Sequence, residues 1–145
     1  APVSMEEVVA ATGATAVAWS RRLDCCGGGF SLTRTASAVR LSREILDDAR
    51  AAGADAIVVA CPMCHSNLDF RQKTLVRRGE EGLPVLFLSE LVGLALGLAA
   101  ETLGLERHFV DTRGFVTRAL APKPPATKPA PGDARPAAAA QKGAA

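Results

Sequence analysis

The sequence predicts a small α/β domain in which helices flank a parallel sheet. Three observations lead to this fold class. Short apolar runs alternate with segments of helical periodicity, in the order helix, strand, helix, strand, helix, strand, helix. Gly, Pro and Ser punctuate the boundaries of these segments. The four cysteines fall in two pairs, each placed after a strand-like run, so we expect both cysteine loops at the carboxyl edge of the sheet.

The first half of the domain begins with a short helix. Ser4 and Glu7 have the spacing of a capping box, and Gly13 is suited to the end of that helix. Residues 14–19, "ATAVAW", have the composition of a strand and lead into the first cysteine pair. Residues 37–52 carry apolar side chains at helical spacing, and Gly53 ends this second helix.

The second half repeats the alternation. Residues 55–60, "DAIVVA", form a continuous apolar run typical of a buried parallel strand. The second cysteine pair follows directly, and residues 64–78 predict a further helix closed by Gly79. The run "PVLFL" predicts a third strand, with Ser89 as the N-cap of the next helix.

Composition separates a domain from a tail. Residues 1–120 form one domain with a modest core, whereas residues 121–145 consist largely of Ala, Pro, Gly and Lys and are predicted to be disordered. The formal net charge of the chain is +2, and the tail holds four of the basic residues and one acidic residue. The domain itself is therefore close to neutral, and we expect no nucleic-acid partner.

The apolar stretch at residues 83–100 is interrupted by Ser89 and Glu90, which leaves ten uncharged residues from 91 to 100. Such a segment is too short to cross a bilayer, so we expect no membrane span. The chain begins with Ala1 and shows no signal peptide. Cysteines without a secretory signal favour metal or redox chemistry over structural disulfides, so we expect a cytoplasmic location.

The first cysteine pair lies in "LDCCGGGFSLT" and the second in "VVACPMCHSN". Thiolates at a helix start are stabilised by the free backbone amides there. The three glycines after the first pair let the backbone approach a large inorganic group, and Pro62 stiffens the second loop. "CPMC" alone would fit a thioredoxin-like dithiol or half of a zinc site. Adjacent cysteines suit a simple tetrahedral zinc site poorly, so the two pairs together predict a metal site or a redox-active dithiol set.

These motifs carry a family resemblance. "CCGGG", "AGADAIVVACPMCHSNLDFRQ", "LPVLFLSELVGLALGL" and "LGLERHFVD" resemble the C-terminal part of the B subunit of heterodisulfide reductases, which contains the cysteine-rich CCG domain. The resemblance implies a non-cubane assembly of two joined [4Fe-4S] units at which a small-molecule disulfide is cleaved, or formed in the reverse reaction. It implies two partners, a ferredoxin-type C subunit and a flavin-bearing A subunit. The ligands and catalytic cysteines that it implies are Cys25, Cys26, Cys61 and Cys64, with Gly27 and Gly28 in the cofactor-binding loop.

The sequence departs from the family pattern in its number of cysteines. The family has a fifth cysteine more than thirty residues before the adjacent pair, whereas 24 residues precede Cys25 here and none is Cys. The chain therefore resembles the C-terminal piece of a longer subunit, and we expect this piece alone to be inactive, with the missing cysteine upstream. Two other functions remain open: an iron-sulfur electron relay without disulfide chemistry, and a structural or assembly module that binds zinc.

Several residues near the motifs have simpler interpretations. We expect His65 to be a surface residue in the first turn of its helix and His108 to be structural. Asn67 or Arg71 could orient the cysteine loop, although capping and solvated charge would also account for them. Trp19 and Phe30 are expected to pack around the first cysteine loop.

Overall fold

A computed structural model describes residues 3–75 and 80–121 of the chain. In this part the elements are short, except for one long helix after the first cysteine pair. Two 3₁₀ turns, Gly28–Phe30 and Leu105–Arg107, accompany the regular elements. The helices and strands are α1 (Ser4–Ala11), α2 (Thr35–Ala51), β1 (Ile57–Val59), α3 (Pro62–Phe70), α4 (Gln72–Leu75), β2 (Val85–Phe87), α5 (Leu88–Ala95), α6 (Ala100–Leu103) and α7 (Arg113–Leu120).

The two strands form a parallel pair, in which Ile57 lies opposite Val85 and Val59 lies opposite Phe87. Both strands are followed directly by helices, as βα units require. The prediction of a small parallel sheet flanked by helices is confirmed, although the described chain contains more helix than strand.

The prediction of a strand at residues 14–19 is wrong. Residues 14–18 have no regular secondary structure and are exposed to solvent. A strand requires a neighbour for its backbone hydrogen bonds, and within the described ranges the sheet contains β1 and β2 alone. The small side chains of Ala14, Ala16 and Ala18 offer little apolar area to hold the segment against the core. Trp19 at its end packs against the part of the core that includes Cys26, as expected, whereas Phe30 is 44% exposed.

The helix boundaries differ from the predictions in detail. α1 begins at Ser4, but no side chain caps it, and Gly13 follows with a left-handed φ of 84°. α2 is confirmed and begins two residues earlier than predicted, at Thr35. The predicted helix from residue 64 begins earlier, at Pro62, and is broken at Arg71, while its predicted end at residues 76–79 lies outside the described residues.

Ser89 is not an N-cap, because α5 already begins at Leu88. The carboxylate of Glu90 replaces it by accepting from the Phe87 N–H at 2.7 Å. A carboxylate in the first turn also interacts favourably with the helix dipole. Glu90 is thereby fixed at the end of β2, which determines its place beside the site described below.

The core has two parts, one on each side of the sheet. The larger part packs α2 against the sheet and α3, and includes Cys26 among its buried members. The smaller part consists of Leu86, Leu94 and Leu105, with Phe115 and Val116 of α7 packed against it. The β strands therefore lie between two apolar layers, which holds the loops at their carboxyl ends in fixed positions.

The predicted disordered tail at residues 121–145 lies outside the described residues except for Ala121. Among the helices that the structure describes, none has the length and apolar character needed to cross a membrane.

Candidate metal centre

Cys61 lies at the junction of β1 and α3. It occupies the N-cap position of α3, with extended backbone angles, and Pro62 follows as the first helical residue. Proline is tolerated there because the first amide of a helix has no intrahelical partner. The backbone N–H groups of Cys64 and then Met63 interact with the Cys61 sulfur and lower the pKa of this exposed thiol. The fold therefore places a thiol of lowered pKa at the start of α3, as the sequence predicted.

Cys26 comes from the other loop and is buried, with 1% of its surface exposed. Its Sγ donates to the Met63 carbonyl oxygen at 3.7 Å, and the Asn67 amide Nδ2 donates to Sγ at 3.5 Å. Both partners lie in α3. The first cysteine loop therefore packs directly against α3, the helix that follows Cys61 and contains Cys64.

Cys64 is half-buried and interacts with the thiols of both Cys26 and Cys61. Burial, followed by the hydrogen bond and charge of Cys26, raises the pKa of Cys64 to about 12. Without a cation, this thiol stays protonated at neutral pH. A bound metal ion would offset that penalty, because a cation favours the thiolate and displaces its proton.

Cys25, the fourth cysteine, has an environment different from that of the other three. It is exposed, and its sulfur accepts from the Gly27 N–H at 3.4 Å. All four cysteines are free thiols. Cys64 thus contacts both Cys26 and Cys61, while Cys25 lies exposed in the same loop as Cys26.

The close packing of the first cysteine loop explains two of its three glycines. Gly27 has a left-handed φ of 77°, and a Cβ there would lie 2.9 Å from the Leu41 side chain. A Cβ on Gly28 would lie 3.0 Å from the Met63 Cβ. Gly29 would meet nothing within 4 Å. Gly27 and Gly28 therefore let the loop pack closely against α2 and α3, whatever the loop binds.

Asn67 links the two loops. Its Oδ1 accepts from the Ser31 hydroxyl at 3.1 Å and from Arg71 Nε at 2.9 Å, while its amide reaches Cys26. Arg71 also donates to the Ser31 carbonyl at 3.3 Å. The expectation that Asn67 or Arg71 orients the cysteine loop agrees with these contacts.

A second polar cluster was missed by the sequence analysis. His65 is partly buried and not a surface residue, because its ring stacks on Phe87 at 4.3 Å and meets His108 edge-on at 4.7 Å. His108 Nε2 lies 3.1 Å from Glu90 Oε1. Burial, followed by the nearby His108, lowers the pKa of His65. The two histidines come from distant segments, so no spacing in the sequence signals their contact.

The cysteine donors fit a metal or a cluster that prefers sulfur ligands, such as zinc or iron-sulfur. One thiol is stabilised by helix amides and another is half-buried beside two more thiols. Cys61 and Cys64 follow the carboxyl end of β1, and Cys26 from the first loop contacts Cys64 there.

Two cysteine pairs from different loops, in contact through Cys26 and Cys64, make this a cysteine-rich domain. The family model of the cysteine-rich domain named CCG matches residues 1–69, a range that contains all four cysteines. This match confirms the recognition of a CCG domain made from the motifs.

Particular relatives extend the likeness beyond that range. The chain is 36% identical over 122 residues to the B subunit of the ferredoxin/F(420)H(2)-dependent CoB-CoM heterodisulfide reductase of Methanosarcina acetivorans, covering 81% of this chain and 41% of the relative. It is 36% identical over 121 residues to the B subunit of the ferredoxin:CoB-CoM heterodisulfide reductase of Methanosarcina mazei, covering 81% and 40%.

A third relative carries a different description. The chain is 38% identical over 112 residues to the 8-methylmenaquinol:fumarate reductase membrane anchor subunit of Wolinella succinogenes, covering 76% of this chain and 39% of the relative. The chain thus spans about 40% of the length of these curated relatives. All three are subunits of reductases, and this supports an oxidoreductase role.

Proposed function

We propose that the chain is part of an iron-sulfur subunit of a heterodisulfide reductase-like enzyme, which reduces a disulfide or catalyses the reverse reaction. Cys25, Cys26, Cys61 and Cys64 are its cluster ligands. The observation that carries the proposal is the contact of Cys64 with Cys26 and Cys61, because it joins the two motifs at one place. The two relatives that are B subunits of heterodisulfide reductases support the choice of reaction.

The role of the protein residues follows from their contacts. A bound iron-sulfur cluster supplies one-electron transfer, and two such transfers meet the requirement of a disulfide. The amides of Met63 and Cys64 stabilise negative charge on Cys61. Asn67 donates toward the Cys26 sulfur, and hydrogen bonds to cluster sulfurs are one of the means by which a protein tunes reduction potential.

The finer features rest on the resemblance. The cluster is proposed to be of the non-cubane [4Fe-4S] type, which in the family uses five cysteines, and the present chain supplies four. A longer chain that adds an upstream cysteine is the form expected to be active. The proposed partners are a ferredoxin-type C subunit and a flavin-bearing A subunit, in the cytoplasm, with a small-molecule disulfide or thiol as substrate.

A second candidate function has its own support. The relative from Wolinella succinogenes is named for menaquinol and fumarate, and its printed name mentions no disulfide. An electron-relay domain that uses the same cysteines without disulfide chemistry would fit this likeness. Zinc bound for structural reasons is the third interpretation of the same thiols.

Anaerobic reconstitution with iron and sulfide tests the ligand assignment. We expect the full chain to retain iron and acid-labile sulfide, and the variants Cys26→Ser and Cys61→Ser to lose most of both. Ser66→Ala is the matched control, because Ser66 is an exposed residue of α3 that lies between Cys64 and Asn67 in the sequence. Unchanged iron content in both cysteine variants would refute the assignment, and stoichiometric zinc without sulfide would favour the structural interpretation.

A second measurement separates disulfide reduction from electron relay. The reconstituted protein, in a form extended by the upstream segment, is reduced with a viologen dye and then mixed with a disulfide of two aliphatic thiols. Disulfide-dependent oxidation of the dye with release of free thiol supports the reductase. Reversible reduction of the cluster without thiol release supports the relay.

A further inference from the structure

His65, Glu90 and His108 form a polar cluster apart from the cysteines. Their ligand atoms, one ring nitrogen from each histidine and one carboxylate oxygen, all lie within 4.8 Å of one another. The three side chains come from α3, α5 and the segment after the turn Leu105–Arg107. His65 follows Cys64 directly, and successive residues of a helix point about 100° apart, so the two side chains face different sides of α3.

The hydrogen bonds of this cluster are incomplete. His65 Nε2 and His108 Nδ1 are buried and have no hydrogen-bond partner among the described residues. The His108 side chain is 6% exposed and that of Glu90 is 12% exposed. A buried polar atom without a partner carries a desolvation cost on the order of 1–3 kcal/mol, so two of them in contacting rings call for an explanation.

The remaining atoms of these side chains are already engaged. His108 Nε2 lies 3.1 Å from Glu90 Oε1, and the other oxygen of Glu90 accepts from the Phe87 N–H. Because Nε2 of His65 has no partner, the hydrogen bond of that ring with the Val85 backbone involves Nδ1. Histidines that bind metals usually have the second ring nitrogen held in this manner.

The rings are also fixed in orientation. His65 is stacked on Phe87 with an angle of 10° between the planes, and it meets His108 at 82°. His108 lines a cleft of about 670 Å³ that is bordered by α6 and α7, so one of the three side chains lies beside solvent-accessible space. Two immobilised imidazoles and one carboxylate are a ligand set that zinc uses, with a fourth position left for water.

We propose that His65, Glu90 and His108 bind one zinc ion at a site separate from the cysteines. The ligand atoms would be His65 Nε2, His108 Nε2 and Glu90 Oε1, so that zinc supplies the partner that His65 Nε2 lacks and takes the place of the proton between His108 Nε2 and Glu90 Oε1. The ion would connect α3 to α5 and to the segment that carries His108, and so hold the end of β2 against the helix that bears Cys61 and Cys64. This site does not depend on which cofactor the cysteines bind.

The test removes competing thiolates and measures zinc alone. The full chain with Cys61→Ser and Cys64→Ser is titrated with zinc by calorimetry, and the loaded protein is measured by zinc X-ray absorption. We expect one zinc per chain in a shell of nitrogen and oxygen at about 2.0–2.1 Å, with imidazole scattering and no sulfur at about 2.3 Å.

Ligand variants in that background decide the assignment. His108→Ala and Glu90→Gln should each weaken zinc binding by more than about 100-fold, since loss of an outer partner alone costs about 10–100-fold. Glu90→Gln keeps an oxygen for the Phe87 N–H and so guards against simple unfolding, which circular dichroism checks. Glu106→Gln is the control, because Glu106 is an exposed acid on the same cleft. Absence of zinc binding, or equal zinc affinity in His108→Ala and the Glu106→Gln control, would overturn the proposal. The iron content of the unmodified chain is a separate measurement, and it tests the cysteine site independently.

Discussion

The Asn67 amide donates to the Cys26 sulfur at 3.5 Å and so connects the two cysteine motifs through one side chain. The same side chain accepts from Ser31 and Arg71, and it is 2% exposed. Buried amides with all these partners fix the loops that they join, because no water can replace a lost bond. Asn67 therefore positions the first cysteine loop on α3.

Replacing this amide should weaken both the fold and the cysteine site. In Asn67→Leu the volume is roughly kept while Ser31, Arg71 and Cys26 lose their partner. We expect the free energy of unfolding to fall by about 1–3 kcal/mol and iron retention after reconstitution to fall with it. Denaturant unfolding measures the first and iron analysis the second. The control Ser66→Ala should change neither the free energy of unfolding nor the iron content. If Asn67→Leu matched that control in both measurements, the positioning role of Asn67 would be contradicted.

The glycines of the first loop should differ in tolerance. Gly27→Ala places a side chain at a left-handed φ and 2.9 Å from Leu41, so we expect a loss of about 1–2 kcal/mol from the backbone alone and more from the contact. Gly29→Ala meets nothing within 4 Å and should be close to neutral. Thermal melts of the two variants make the comparison. Equal melting temperatures would show that the loop does not pack as described.

The thiols of the metal-free protein should react at different pH. The amides of Cys64 and Met63 lower the pKa of Cys61, so its reactive thiolate is present at lower pH than for an ordinary cysteine. Burial and Cys26 raise the pKa of Cys64 to about 12, so Cys64 stays protonated until strongly alkaline pH. Iodoacetamide labelling between about pH 6 and 10, read by tandem mass spectrometry, should modify Cys61 first.

The control for that experiment is the same chain in concentrated urea, where the local contacts are gone and both thiols should follow one pH curve. Faster labelling of Cys64 than of Cys61 in the folded protein would contradict the geometry. Because metal binding displaces protons from thiols, adding zinc should also release protons, most of all near neutral pH.

Gln72 should be among the most sensitive positions outside the two sites. It is 1% exposed and forms two hydrogen bonds with the Leu83 backbone, from Nε2 to the carbonyl at 2.7 Å and from the Leu83 N–H to Oε1 at 2.8 Å. Gln72→Leu would leave both backbone groups without this partner, at a cost of about 1–3 kcal/mol. Ser66→Ala, at an exposed position of α3, should stay within about 0.5 kcal/mol. Equal unfolding midpoints would contradict this role.

The sequence predicted the features that depend on local pattern. The alternation of apolar runs and helical segments located β1, β2 and α2, and it placed Cys61 at a helix start, because these features arise from residues close together in the chain. It failed for residues 14–19, since strand-like composition says nothing about whether a neighbouring strand is available. The cap of α5 was assigned to Ser89, although Glu90 satisfies the same amide from one residue further on.

The cluster of His65, Glu90 and His108 could not be predicted from local sequence patterns. His65, Glu90 and His108 belong to three elements, and their contact depends on how α5 and the turn after α6 pack around the end of β2. Each residue alone has a simple explanation as a surface, capping or structural side chain. The unpaired ring nitrogens, which set the cluster apart, are visible only after folding.

The contacts of Cys26 with Met63 and Asn67 join residues that lie 37 and 41 positions apart in the chain. Closing a flexible segment of that length costs on the order of 3 kcal/mol in chain entropy, which the thiols alone cannot offset. These contacts are therefore made as β1 pairs with β2 and α3 docks, because burial of the core offsets that entropy. A chain arrested before that step presents four separate thiols to its surroundings, and oxidation then competes with assembly.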